Sequence, residues 1–177
     1  MPTHAEKRHL PWTCEQLFDL VAGVDRYPEF LPWCRAARIL RREGEVFWAD
    51  LVVAFKMFRE RFRSRVTLRR PHEIDVEYID GPFRYLNNHW RFLEAPDGGC
   101  IVDFYVDFEF KSRFLQSLME MLFNEAVRRM VAAFERRAVQ LYGPDGRPAA
   151  RPRGETATDG GDEAGETPPR PVAPARG

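Results

Sequence analysis

The chain is 177 residues long and carries 27 Lys plus Arg against 27 Asp plus Glu, a formal net charge of zero. At about 150 residues per domain this length predicts one domain, and the charge balance excludes a whole-protein field that would make nucleic acid or an anionic membrane the main partner, so any basic recognition is local. With 44% hydrophobic and 13% aromatic residues, Phe alone contributing 14, wholesale disorder is excluded.

In chain order, His4 to Leu10 reads as a first strand, on which His4 and His9 point to opposite faces. Thr13 with Gln16 forms a capping-box pattern for a short helix carrying Leu17, Phe18 and Val21, which Gly23 ends. A second short helix or turn covers Asp25 to Cys34. From about Arg35 to Lys111 the period becomes two. Phe47, Ala49, Leu51, Val53 and Phe55 alternate with Trp48, Asp50 and Lys56, and Phe62, Ser64, Val66 and Leu68 alternate with Arg61, Arg63, Arg65 and Arg69. Ile74, Val76 and Tyr78 follow with Asp75 and Glu77 opposite, then Trp90 and Phe92, then Val102 to Phe110 against Asp103, Asp107 and Glu109. Such strands are antiparallel and covered on one face. The acids of 73–77 are expected to neutralise the Arg row across the strands.

Leu115 to Tyr142 carries Leu115, Met119, Leu122, Ala126, Met130, Ala133 and Leu141 at helical spacing, a long amphipathic helix stopped by Gly143-Pro144. Beyond it, residues 144–177 hold 7 Pro and 6 Gly and no aromatic, Leu, Ile or Met, which predicts a disordered Pro/Gly-rich tail after a folded domain over 1–143. The order predicts an α+β fold: a curved antiparallel sheet wrapped around a long C-terminal helix, with two short helices after the first strand. Aromatic side chains on both surfaces either fill the interior as a packed core or leave an apolar cavity between helix and sheet.

Cys14, Cys34 and Cys100 form no CxxC pattern and are expected to be reduced thiols. The four scattered histidines suggest no metal site. No stretch approaches the ~18 apolar residues of a membrane span, and the first eight residues lack the apolar run of a signal peptide. A cytoplasmic location is expected, with peripheral association at the inner membrane.

The segment Val24-Asp25-Arg26-Tyr27-Pro28-Glu29-Phe30-Leu31-Pro32-Trp33-Cys34 resembles the signature of the coenzyme Q-binding protein family, the START-like branch of the polyketide cyclase/dehydrase and lipid-transport superfamily. Further similar blocks follow in order: Leu51 to Phe55, Glu60 to Val66, Gly81 to Leu86 with Trp90 and Phe92, Phe108 to Phe110, and Ala133 to Ala138 with Tyr142-Gly143. Ala54 and Arg63 stand where Gly and Thr are common in the family. The resemblance covers residues 4 to 143 and implies a helix-grip fold with a hydrophobic tunnel for ubiquinone or a related polyprenyl lipid, serving respiratory electron transport. The family also contains ribosome-association toxins, so binding a ribosomal subunit and blocking subunit joining is the alternative. No DNA partner and no catalytic cofactor are expected.

On this reading Tyr27, Phe30, Leu31, Trp33, Phe104, Phe108, Leu118, Met119, Leu122, Phe123 and Met130 line the tunnel, and Phe62 and Trp90 belong to the same lipid-binding set. Glu60 shares the inward parity of Phe62 and Ser64 near a strand end, where the carboxyl group can hydrogen-bond a quinone head group directly when protonated or otherwise through water, with Ser64, Asn88 and Tyr78 as further inward polar groups. Phe55-Lys56-Met57-Phe58-Arg59 and the loop Gly81 to Leu86, with Phe83, have the composition of tips that dip into a lipid interface, so a transient membrane surface is an expected partner. Apart from Glu60 the inward positions are apolar or neutral, and no Ser/His/Asp order, metal cluster or phosphate loop is present. No enzymatic activity is expected.

Overall fold

A computed structural model describes residues 3–145 of the chain; the tail expected over 144–177 therefore lies almost wholly outside the described residues. The period-two segments form seven strands: β1 (Thr3–Leu10), β2 (Cys34–Glu43), β3 (Val46–Phe55), β4 (Phe58–Arg69), β5 (Glu73–Asp80), β6 (Phe83–Glu94) and β7 (Cys100–Phe110). They pair antiparallel in the order β1-β7-β6-β5-β4-β3-β2, so the first and second strands end up at opposite edges of one sheet. Helix α1 (Cys14–Ala22) and a 3-10 turn (Val24–Glu29) carry the chain from one edge to the other, and α2 (Arg113–Tyr142) crosses the inner face. With its curved sheet and long last helix, the molecule has the expected helix-grip architecture.

Local chemistry explains the ends. The Thr13 hydroxyl accepts from Gln16 N at 3.1 Å while the Gln16 side chain accepts from Thr13 N at 3.0 Å, a reciprocal cap for α1. Curvature comes from register shifts, which bend the strand that carries the extra residue. They lie between Cys34/Ala36 and Ile39/Arg41 in β2, at Ile79 of β5 opposite Arg63/Ser64, and between Phe83/Tyr85 in β6.

The outer face of the sheet is charged and paired. Arg65 meets Glu77, Arg69 reaches Glu73 and Asp75 at 2.9 Å each, and Arg61 and Arg63 converge on Asp50 at 3.0 and 2.8 Å. The expected neutralisation by 73–77 accounts for two of these arginines; Asp50 of β3 takes the other two.

The inner face packs in two ways. At its C-terminal end α2 lies close to α1 because Ala138 is small: it is buried in the same cluster as Trp12, Leu17 and Val21, and Trp12 Nε1 donates to Gly143 O at 2.8 Å. Earlier on α2 the inward side chains are Met119, Phe123, Met130 and Phe134, whose bulk holds helix and sheet apart. Leu141, expected on the apolar stripe, is half exposed, because the last turns bury Ala138 and pack Tyr142 in the α1 cluster and leave Leu141 to one side.

Candidate functional site

Where the bulky part of α2 bridges the curved sheet, a cavity of about 240 Å³ remains, partly enclosed. Its floor is the inward parity of the strands. Leu51, Val53 and Phe55 come from β3, Phe58, Phe62, Ser64 and Val66 from β4, Ile74 and Val76 from β5, and Phe83, Leu86, Asn88 and Trp90 from β6. Phe104, Val106, Phe108 and Phe110 complete it from β7. Met119, Phe123, Ala126, Val127, Met130 and Phe134 form the roof, and Val21, Val24, Tyr27, Leu31 and Trp33 close one side. No charged side chain belongs to this wall.

Two aromatic groups fix its shape. Phe83 stacks on Phe110 at 4.6 Å and meets Phe62 and Phe108 edge-on at 5.6 Å each, while Phe58 meets Phe110 at 5.3 Å. Trp90 lies 4.3 Å from Phe104 and 5.7 Å from Phe134, and Phe134 is 5.6 Å from Tyr27. Edge-to-face rings keep one another upright and leave space that flexible aliphatic side chains would fill.

The few polar groups of the wall differ in how they are satisfied. The Tyr27 hydroxyl donates to Val21 O, and burial, with nearby Cys34, pushes its pKa far above the ordinary phenol range. Asn88 Nδ2 donates to Tyr105 O at 3.0 Å, and Asn88 Oδ1 accepts from Trp90 Nε1 at 3.2 Å. Ser64 is 2% exposed and its hydroxyl makes no hydrogen bond among the described residues, and Trp33 Nε1 is buried without a partner. No group of three or more His, Cys, Asp or Glu side chains that could hold a metal occurs among the described residues.

Of the residues singled out from the sequence, the wall gathers Tyr27, Leu31, Trp33, Phe55, Phe58, Phe62, Ser64, Phe83, Trp90, Phe104, Phe108, Met119, Phe123 and Met130. Four lie elsewhere. Phe30 packs on the outer side of Tyr27, 5.3 Å from Phe134 and beneath the Arg137 guanidinium at 5.4 Å. Leu118 and Leu122 occupy the flank of α2, because the cavity-facing stripe runs through 119, 123, 126, 127, 130 and 134 and is narrower than the whole apolar face. Glu60 keeps its inward parity but sits half-buried opposite Val53 at the hairpin end of β4, outside the wall and without an ion pair or hydrogen bond among the described residues.

The expected lipid-dipping tips also differ. Phe55, Phe58 and Phe83 are buried in the wall, and Met57 at 78% exposure is what the β3–β4 hairpin presents to solvent. Period two explains this: the tip reverses the chain between Phe55 and Phe58, which pair directly, so both keep the inner face. Phe114 and Met121 of α2 are similarly exposed, at 66% and 77%. Lys56 Nζ contacts Glu125 Oε2 at 3.2 Å, which brings the hairpin tip beside the turn of α2 that follows Met121. The wall residues not singled out, Phe110, Phe134 and Val127 among them, carried the right periodicity, but nothing in a periodic pattern separates residues that face a void from those that face a neighbour.

Residues 10–135 match the family model described as polyketide cyclase/dehydrase and lipid transport. Ribosome association toxin RatA from Pseudomonas aeruginosa is 36% identical over 144 residues, 81% of this chain and 100% of that protein. Coenzyme Q-binding protein COQ10 homolog B, mitochondrial, from Xenopus laevis is also 36% identical over 144 residues, 79% of this chain but 59% of its own length. Among solved structures, an 18 kDa protein from Caulobacter crescentus superposes with a TM-score of 0.67 at 39% identity, covering 81% of this chain and 99% of that one.

Proposed function

This chain belongs to the polyketide cyclase/dehydrase and lipid-transport family, and from that premise we propose that it is a non-enzymatic carrier of ubiquinone or a related polyprenyl lipid, supporting respiratory electron transport. The observation that supports this reading is an apolar cavity whose wall holds no charged side chain. An engineered cavity of about 150 Å³ accepts benzene, so 240 Å³ accommodates a substituted ring and the beginning of an isoprenoid chain, the rest extending outward. Acid–base chemistry needs paired titratable groups at the reacting centre. The one titratable side chain of the wall, Tyr27, is committed to a backbone carbonyl and held neutral.

The energetics favour exchange over capture. Burying a methylene from water is worth about 0.8 kcal/mol, but the lipid starts in a bilayer, so transfer into the cavity is close to balanced. Docking is transient and peripheral, from the cytoplasm, through Met57, Phe114 and Met121, the most exposed apolar residues of the hairpin and α2. Mass spectrometry of an organic extract of the purified protein is the test. The expected result is a co-purifying polyprenyl quinone; no lipid in the extract, together with no saturable uptake in a titration, removes the carrier reading.

A second reading, association with a ribosomal subunit, is supported by the full-length match to the Pseudomonas protein. The pairing of the sheet arginines with acids leaves little free positive charge for RNA on that face. Co-sedimentation with ribosomal subunits at low salt, lost steeply as salt rises, would favour it.

A further inference from the structure

We propose that the Ser64 hydroxyl is a hydrogen-bond subsite for a neutral acceptor oxygen, a carbonyl or ether, on the ligand; this rests on the carrier reading above. Ser64 is the buried polar side chain of the core among the described residues, on the inward parity of β4 between Phe62 and Val66, and it lines the cavity. Its hydroxyl has no partner among the described residues. The other side-chain hydroxyl and amide of the wall are already engaged: Tyr27 on Val21 O, and Asn88 on Tyr105 O and Trp90 Nε1.

A buried hydroxyl left unpaired is costly, and an apolar residue of similar size in its place removes that cost. A serine at a position of full burial is therefore explained by something that pairs with it when the cavity is filled. The second unpaired polar atom of the wall, Trp33 Nε1, can only donate. Both orphans thus suit a ligand rich in acceptors. Because no cation lines the cavity, a buried carboxylate or phosphate would remain uncompensated. The ligand class is an uncharged lipid bearing carbonyl or ether oxygens, with fatty acids and phospholipid head groups discriminated against.

The test compares the full chain with Ser64→Ala and Ser64→Thr, each titrated with a short-tail ubiquinone and with farnesene, an isoprenoid hydrocarbon without oxygen. Ser64→Ala is expected to weaken quinone binding about fivefold, leave farnesene unchanged, and leave the melting temperature of the empty protein equal or higher. Ser64→Thr, which keeps the hydroxyl, is expected to retain most of the quinone affinity. In the infrared, the bound quinone carbonyl stretch shifts to lower frequency in the wild type and reverts in Ser64→Ala. Equal losses for both ligands, an unchanged quinone affinity in Ser64→Ala, or a carbonyl band indifferent to the substitution overturns the subsite while the carrier reading stands. A wild type that binds neither ligand overturns both.

Discussion

Asp50 shows how much a single side chain on the outer face can hold. It accepts from Arg63 Nε at 2.8 Å and lies 3.0 Å from Arg61, and the Arg63 hydrogen bond, helped by the charge of Arg61, holds its carboxyl below the ordinary value of 3.8. A carboxyl more acidic in the folded than in the unfolded chain stabilises the fold above the unfolded value, and that contribution is lost as pH falls through the folded value. Asp50→Asn should therefore cost about 1 kcal/mol at neutral pH, with the gap to wild type closing as pH falls below the ordinary value and through the lowered folded one, read from urea midpoints across the acid range. Gly81 is constrained differently. With φ at +144° and an added Cβ meeting Phe62 Cβ at 2.7 Å, Gly81→Ala is expected to destabilise by roughly 1–3 kcal/mol in thermal unfolding. Strand parity alone placed Ser64 inward, and it placed Glu60 inward too. Parity does not say which inward side chains reach the void: Phe58, closer to the hairpin turn than Glu60, lines it and Glu60 does not.

At the scale of elements, period and caps made α1, the strands and α2 legible, because each is fixed by contacts within a few residues or by one continuous apolar face. What α2 does along its length depends on its partners. Ala138 draws it against α1, whereas Met119 to Phe134 stand it off the sheet. The β3–β4 hairpin, read as an aromatic tip, buries both aromatics, and its solvent-facing residue is Met57. Met57→Glu combined with Phe114→Glu should abolish most flotation with neutral phosphatidylcholine vesicles without lowering the melting temperature, since neither side chain is buried. Unchanged flotation would place docking elsewhere.

For the whole molecule, the consequential feature is an interior incompletely filled by its own side chains. Protein cores normally pack to near-crystalline density, so this void is a place where stability and binding pull apart. Val76 lines it from β5, and Val76→Phe is expected to keep or raise the melting temperature while cutting quinone uptake at least about tenfold, measured by saturation titration. Zero net charge, one sheet and one long helix, and the alternation that gives the sheet an apolar and a charged face were all set by composition and period, which are local properties of the chain. The resemblance of several ordered blocks carried the family as well. Only the tertiary structure decided that the void exists, that Phe30, Leu118, Leu122 and Glu60 stand outside its wall, and that Ser64 faces it without a partner. The reason is geometric: periodicity tells which face of an element is covered, but whether the covering atoms touch depends on how far apart curved sheet and helix are held, and that distance is set jointly by side chains from every strand.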